Sequence, residues 1–114
     1  MGEQLALAHL IALGYTIEDR NYRCPFGEVD IIARDKEILV FVEVKTRISG
    51  RFGSPQEAVD LRKQRRLSRI ALHYLACAHT RGNQDACRFD VVSVMRTHGE
   101  EWSIEVIKDA FSLL

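Results

Sequence analysis

Short stretches of alternating apolar and polar residues run along most of this chain, and two stretches with helical spacing interrupt them. The helical stretches, residues 2–13 and 54–78, place apolar residues three and four positions apart, which predicts two amphipathic helices. The second begins with Ser54, Pro55 and Glu57, a pattern typical of a helix N-terminus. The alternating stretches predict five strands, at residues 15–22, 26–33, 37–45, 88–95 and 102–107.

The predicted elements follow one another in the order α-β-β-β-α-β-β. Residues 34–37 form a polar turn that joins the second and third strands into a hairpin, and a loop is expected at residues 21–25. Because the long helix allows a crossover between the third and fourth strands, we expect an α/β fold with a mixed five-stranded sheet flanked by helices. The last residues, 109–114, are predicted as a short helix or a frayed end. The length of 114 residues predicts a single domain, residues 1–114.

The composition is that of an ordinary globular protein, with 46% hydrophobic and 28% charged residues. No apolar run approaches the roughly 20 residues that a membrane span needs, and no secretory signal precedes the first helix. The cysteines, Cys24, Cys77 and Cys87, form no Cys-x-x-Cys pair, and their odd number gives no closed set of disulfides. We therefore expect a cytoplasmic protein without a membrane partner.

The charges are unevenly distributed, although the formal net charge is zero. Residues 45–70 contain eight basic and two acidic side chains, an excess of six positive charges. A basic surface of this kind predicts a polyanionic partner, which we expect to be nucleic acid. The candidate contacts to the nucleic-acid backbone are Arg47, Arg51, Arg62, Arg65, Arg66 and Arg69. The alternative is that these arginines belong to an ordinary solvated loop and helix face.

The predicted hairpin carries charges within strands that otherwise have a buried character. Asp30 interrupts the second predicted strand, while Glu43 and Lys45 flank Val44 on the third. Since strand side chains alternate between faces, Glu43 and Lys45 point to one face of the sheet, together with Phe41. One interpretation is a solvated ion pair, worth at most about 1 kcal/mol. The presence of Phe41 favours a buried face, where charged groups without a function would be costly.

These charges fit a divalent-metal site that acts on phosphodiesters. Mg²⁺ and similar cations prefer oxygen ligands, usually one or two carboxylates together with water and phosphate oxygens. Asp30 and Glu43 are the candidate ligands, and Lys45 is the candidate catalytic residue that holds the attacking water and offsets negative charge. Additional candidates are the backbone carbonyl of Val44, Glu28 on the face of Asp30, Glu3 from the first helix, and Lys63 near the start of the second.

Two motifs carry a resemblance to a known family: Gly-Glu-Val-Asp at residues 27–30 and Phe-Val-Glu-Val-Lys-Thr-Arg at residues 41–47. Over nearly its whole length the chain resembles the YraN-like family of small, uncharacterised bacterial proteins. That family is similar to the restriction-endonuclease-like superfamily and, within it, to archaeal Holliday-junction resolvases. One departure is Val29, which stands where the wider superfamily often has proline before the aspartate.

The resemblance implies a restriction-endonuclease-like fold in which Asp30 and Glu43 bind metal and Lys45 is catalytic, and it makes Glu3 an additional helix-borne acid. The expected function is a Mg²⁺- or Mn²⁺-dependent endonuclease that hydrolyses DNA, selective for structures such as junctions. The alternative is a non-catalytic nucleic-acid-binding or interaction module that keeps the nuclease fold. A homodimer is implied if the substrate is a junction, because two strands must then be cut. Asp90 lies between Phe89 and Val91 and is expected to have a structural role, either as a cap or as the partner of an arginine.

Overall fold

The protein, described here by a computed structural model, is placed over residues 2–48, 59–77, 87–96 and 101–113. Within these ranges it has two helices, α1 (Gly2–Ala12) and α2 (Leu61–Cys77). The strands in the same ranges are β1 (Thr16–Cys24), β2 (Gly27–Asp35), β3 (Ile38–Ile48), β4 (Cys87–Arg96) and β5 (Trp102–Phe111). The predicted order α-β-β-β-α-β-β is therefore confirmed. Neither described helix is long and apolar enough to cross a membrane.

The described strands form one five-stranded sheet in chain order, β1-β2-β3-β4-β5. The neighbours β1–β2, β2–β3 and β4–β5 are antiparallel, whereas β3 and β4 are parallel. A parallel pair cannot be joined by a tight turn, and α2 lies in the connection between β3 and β4. The predicted mixed sheet is confirmed, and its parallel pair includes the strand that carries Glu43 and Lys45.

A helix covers each face of the sheet. Leu39 and Phe41 of β3 pack in the core beneath α2, to which α2 contributes Ile70. Val40 of the same strand packs on the opposite face beneath α1, together with Leu10. Because both faces of β3 are buried, its sequence is an almost continuous apolar run, and a charged residue within it is an exception to its packing.

The first strand is longer than the alternating pattern predicted. It continues through Asn21 to Cys24, so the loop predicted at residues 21–25 is wrong for all but the last of these positions. Asn21 has a φ of 52°, a left-handed conformation that asparagine adopts more readily than most residues. The strand continues through this residue because its neighbours Arg20 and Tyr22 pair with Ile31 and Val29 of β2.

The last strand also extends beyond its predicted end. Because β5 continues to Phe111, the prediction of a short helix or a frayed end is wrong at residues 109–111. The backbone N–H of Asp109 donates to Oδ1 of Asp90 at 3.0 Å. This long-range hydrogen bond holds the irregular end of β5 against β4.

The described part of α2 begins later than predicted. Val59 and Asp60 are not helical, and the helix starts at Leu61. Oδ1 of Asp60 accepts a hydrogen bond from the backbone N–H of Lys63 at 2.9 Å, so Asp60 is the N-cap of this helix. The helix start predicted at residues 54–57 lies outside the described residues.

Candidate functional site

Asp30 lies where the regular pairing of β2 with β3 ends. The last regular pair on this side places Ile31 opposite Val42. One residue further, Oδ2 of Asp30 accepts a hydrogen bond from the backbone N–H of Val44 at 2.8 Å. The carboxylate therefore takes the role that a backbone carbonyl normally has in the ladder, and this contact holds Asp30 against β3.

The side-chain alternation of β2 changes at the same position. Val29 packs in the core beneath α2, whereas Ile31 packs in the core beneath α1. Residues two apart in a regular strand share a face, so β2 is irregular at Asp30. This irregularity explains how one residue can direct its carboxylate toward the neighbouring strand instead of away from the sheet.

Glu43 lies on β3 beneath α2 and is only 8% exposed. Its Oε2 pairs with Nζ of Lys63 on α2, and Nζ of Lys45 lies 3.7 Å from the same oxygen. Lys63 reaches Glu43 from the first turn of α2, which the Asp60 cap fixes. The structure therefore brings together Glu43, Lys45 and Lys63, three of the residues that the sequence singled out.

Glu3 is held near this cluster by a close contact between α1 and β3. Gly2 is buried at the start of α1, and a Cβ atom there would collide with Oγ1 of Thr46. Only glycine allows this approach, which brings the first turn of α1 onto the strand that carries Glu43. The charge of Glu3 acts on Asp30, so the helix-borne acid does lie in the electrostatic surroundings of the site.

The pKa of Asp30 is raised to about 6. The largest cause is burial, which disfavours the charged carboxylate, and the negative charges of Glu43 and Glu3 act in the same direction. The hydrogen bond from Val44 and the positive charge of Lys63 oppose this shift without cancelling it. Three carboxylates thus share one electrostatic environment, and a cation placed among them would relieve their repulsion.

The two lysines of the site differ in their affinity for protons. The pKa of Lys45 is lowered, first by its hydrogen bond to Lys63 and then by burial and by the charge of Lys63. Burial also lowers the pKa of Lys63, but hydrogen bonds to Glu43 and Lys45 outweigh it, and the net shift is upward. Lys63 therefore keeps its proton as the partner of Glu43, while Lys45 gives up its proton more readily than an ordinary lysine.

Some predicted site residues lie elsewhere. Glu28 is exposed and pairs with Arg23 of β1, with 3.5 Å between Nε and Oε2, so it faces that strand rather than Asp30. Arg47 lies two residues beyond Lys45 on β3, opposite Met95 of β4. Arg51 lies outside the described residues.

The other four candidate arginines form one surface, which we call the arginine groove. Its residues line a cavity of about 460 Å³ between α2 and the β1–β2 turn: Pro25, Phe26, Arg62, Arg65, Arg66 and Arg69. The arginines are exposed, and their spacing of three and four residues places them on one side of α2. Sequence reasoning missed Phe26, since the residue alone gives no sign that α2 packs beside it.

A buried polar network lies on the α1 side of the sheet. Asp90 is 1% exposed, and its carboxylate accepts hydrogen bonds from Tyr15 Oη at 2.7 Å and from Arg88 Nε at 2.8 Å. Arg88 also donates to Asp35 Oδ2 at 2.9 Å. The pKa of Tyr15 is raised, first by burial and then by its bond to Asp90. The arginine partner expected for Asp90 is confirmed as Arg88.

The cluster can supply a hard divalent cation with two carboxylate ligands, and water and phosphate oxygens would have to complete the coordination. In the ranges that are placed, no group of three or more His, Cys, Asp or Glu side chains converges closely enough to hold a metal ion. Asp30 and Glu43 supply two carboxylates, which is what Mg²⁺ usually takes from a protein when water and phosphate complete its coordination. Lys63 is bonded to Glu43, so a cation would compete with this ammonium group.

The chain is similar to a set of bacterial proteins that share one family description. The profile of the Uncharacterised protein family UPF0102 matches residues 2–94. A UPF0102 protein of Moorella thermoacetica is 51% identical over 112 residues, covering 97% of this chain and 92% of the relative. A UPF0102 protein of Syntrophus aciditrophicus is 52% identical over 113 residues, covering 99% and 87%. A third, of Geobacter metallireducens, is 50% identical over 113 residues, covering 98% and 89%.

Proposed function

The chain belongs to the Uncharacterised protein family UPF0102, and we propose that it is a Mg²⁺- or Mn²⁺-dependent endonuclease that hydrolyses phosphodiester bonds in DNA. The observation that carries this proposal is the cluster of charged side chains at the point where the regular pairing of β2 with β3 ends. There Asp30 is held by the Val44 N–H, and Glu43 and Glu3 act on its charge. The proposal includes a restriction-endonuclease-like fold and a likeness to archaeal Holliday-junction resolvases, as the sequence motifs imply.

Asp30 and Glu43 would hold the divalent cation, with Glu3 and the backbone of Val44 beside them. A bound Mg²⁺ or Mn²⁺ supplies positive charge to the phosphate and makes a water molecule more acidic. The buried position of Glu43 excludes bulk water on the α2 side, so electrostatic interactions there are stronger than at the surface. The protein residues thus provide a fixed, partly dry place for the scissile phosphate.

Lys45 is the residue that we assign to proton transfer and to stabilising the transition state. Its Nζ lies 3.7 Å from Oε2 of Glu43, so it stands next to a proposed ligand without replacing it. Its lowered pKa makes it lose its proton more readily than an ordinary lysine, which favours proton transfer with the attacking water. Lys63, with a raised pKa, would stay positively charged beside the phosphate.

The arginine groove lies next to the cluster and supports a nucleic-acid substrate. Arg62 and Arg66 flank Lys63 on α2, and Lys63 is bonded to Glu43. A DNA strand whose phosphates contact these arginines would therefore pass close to the proposed metal ligands. Selectivity for a junction would require two such sites, one in each protomer of a symmetric dimer.

A cleavage assay tests the proposal. Supercoiled DNA and a four-way junction are incubated with Mg²⁺ or Mn²⁺ and with the wild type, Asp30→Asn, Lys45→Ala or Glu37→Gln. We expect the first two variants to cleave at least about 100-fold more slowly, since they lose a ligand or a proton-transfer group. Glu37 lies exposed in the β2–β3 turn, and its variant should match the wild type. Equal cleavage by all four proteins would overturn the proposal.

A second function, a non-catalytic nucleic-acid-binding module, is favoured by two observations. Glu43 is already bonded to Lys63, and among the described residues no group of three or more His, Cys, Asp or Glu side chains could hold a metal ion. In that case DNA binding would depend on salt, but no metal-dependent cleavage would follow. Calorimetric titration with Mn²⁺ separates the two functions, because only the endonuclease should lose Mn²⁺ binding on Glu43→Gln.

A further inference from the structure

The arginine groove contains an aromatic ring that the endonuclease reaction itself does not require. Phe26 lies in the β1–β2 turn and is 45% exposed, a large fraction for a phenylalanine beside a helix. Burying an exposed aromatic ring is favourable, so its position at the edge of a cavity makes it available to a ligand. The ring is thus an apolar contact placed among four cationic ones.

The ring of Phe26 contacts α2, and the turn that carries it packs closely against the same helix. Its ring centroid lies 5.8 Å from that of His73 on α2, with an interplanar angle of 71°. Next to it, Gly27 has a φ of 137°, and a Cβ atom there would lie 3.1 Å from Cδ of Arg66. The absence of a side chain at Gly27 therefore lets the stem of Arg66, which lines the groove, lie close to the turn that carries Phe26.

The arginines of the groove have no acidic partner within the described ranges. The sequence of α2 contains no acidic residue at all, and none of Arg62, Arg65, Arg66 and Arg69 forms an ion pair with a described carboxylate. From the first to the last of them the helix rises about 10 Å, at roughly 1.5 Å per residue. This length matches about three stacked nucleotides of one strand, at roughly 3.4 Å each.

From these contacts we infer that the groove binds an unpaired segment of the DNA strand, with one base stacked on Phe26 and the neighbouring phosphates on the four arginines. In a fully paired duplex the faces of the bases are covered by their neighbours, so only phosphates would reach the groove. A base released from the stack offers a free face to an aromatic side chain, a contact that every base can make. The inference names the substrate class of the proposed endonuclease and in that respect rests on the proposed function.

The location of the bound strand relative to the carboxylate cluster follows from the same helix. Lys63 lies between Arg62 and Arg66 in the sequence and turns toward the sheet, where it is bonded to Glu43. A strand held in the groove is therefore adjacent to the carboxylate cluster. The site is suited to a substrate with an unpaired region beside a duplex, such as a gap, a flap or an open junction.

Binding is tested without metal, in the presence of EDTA. The probe is a duplex with a short gap, in which one unpaired base is the fluorescent analogue 2-aminopurine; the control probe is the same duplex without a gap. With the wild type we expect tighter binding to the gapped probe and a change in 2-aminopurine emission as the base stacks. Phe26→Ala should bind the gapped probe about tenfold or more weakly, the range expected for the loss of one aromatic–base contact.

Two variants control for effects on folding and for loss of apolar surface. Phe26→Trp keeps an aromatic ring and should retain both binding and the emission change. Leu72→Ala removes a side chain of α2 that is 50% exposed but lies outside the groove, and should leave both readouts unchanged.

Arg65→Gln should weaken binding to both probes and reduce the dependence of log Kd on log salt by about one. Arg20→Gln, an exposed arginine of β1, should reduce it less.

Two results would overturn the inference. One is equal affinity of Phe26→Ala and the wild type for the gapped probe, and the other is equal affinity of the wild type for the gapped and paired probes. These readouts are independent of cleavage, because EDTA removes the divalent cation. An inactive wild type in the cleavage assay would contradict the proposed function only, whereas an active one with unchanged Phe26→Ala binding would contradict this inference only.

Discussion

The backbone N–H of Val44 donates to Oδ2 of Asp30 at 2.8 Å, so a side-chain carboxylate completes the pairing of β2 with β3. The contact joins a charged group to the strand that also carries Glu43 and Lys45. It holds Asp30 in a place where burial and two other carboxylates raise its pKa to about 6. A residue can be kept in such a place because the surrounding sheet is well packed on both faces.

The raised pKa of Asp30 makes stability depend on pH. An acid whose pKa is higher in the folded state binds more protons there, so the free energy of unfolding falls as pH rises from about 4 to 6. Asp30→Asn removes this titration and keeps an oxygen for the Val44 N–H. We expect the variant to be more stable than the wild type at pH 7.5 in EDTA, by about 1 to 2 kcal/mol after allowance for solvent screening.

Urea denaturation at a series of pH values measures this difference. The two proteins should converge as the pH falls below about 3, where Asp30 is protonated in both the folded and the unfolded state. Glu37→Gln, in the exposed β2–β3 turn, should follow the wild type across the range. A variant that is less stable than the wild type at pH 7.5 would contradict the assignment of Asp30 as an electrostatically strained group.

The packing of Gly2 against Thr46 predicts a coupling between α1 and β3. Gly2→Ala places a methyl group where Oγ1 of Thr46 lies, which forces the helix or the strand to move. We expect a loss of about 1 to 3 kcal/mol, the usual cost of overpacking. Combining it with Thr46→Ala, which removes that oxygen, should recover a large part of the loss. Thermal unfolding of the four proteins gives the coupling energy, and strictly additive losses would argue against the contact.

Removing the arginine should lower the free energy of unfolding more in the buried Arg88–Asp90 pair than in the half-exposed Arg34–Glu18 pair. The side chains of Arg88 and Asp90 are 14% and 0% exposed, whereas those of Arg34 and Glu18 are 34% and 31% exposed. Arg88→Met leaves a buried carboxylate with only the neutral donors Tyr15 Oη and Asp109 N–H and without its positively charged partner, and should cost about 3 to 5 kcal/mol. Arg34→Met, the matched control, should cost no more than about 1 kcal/mol. Similar losses of stability for the two variants in chemical denaturation would show that water reaches the Asp90 network more than its low exposure indicates.

The bond from Lys63 to Glu43 predicts a competition with divalent cations. Lys63→Met removes the ammonium group that offsets the negative charge of Glu43. A cation can then bind Glu43 without a charged hydrogen bond being broken. Since such a bond is worth roughly 1.5 to 3 kcal/mol, the Kd for Mn²⁺ should fall by about tenfold or more. Isothermal titration calorimetry measures it, with Lys36→Met in the exposed turn as the control. An unchanged Kd would place the cation away from Glu43.

The sequence by itself determined the elements and part of the site. Alternating residues in β3 place Glu43, Lys45 and Phe41 on one face, and the structure has them there because a strand reverses its side chains at every residue. The order of helices and strands followed from the same local patterns. Strand ends were less predictable: the polar residues of β1 up to Cys24 stay in the sheet because a neighbouring backbone pairs with them, whatever their side chains are.

Only the tertiary structure decided which distant residues meet. Lys63 is 20 positions after Glu43 in the chain, and their bond depends on how α2 crosses from β3 to β4. The collision that excludes a side chain at Gly2 arises from Thr46 on another element, and the arginine groove exists because α2 packs beside the turn with Phe26. Side-chain periodicity carries no information on such contacts, since they are set by packing and by the irregularity of β2 at Asp30. The candidate ligands could thus be chosen from the sequence, but their competitor and their neighbouring groove could not.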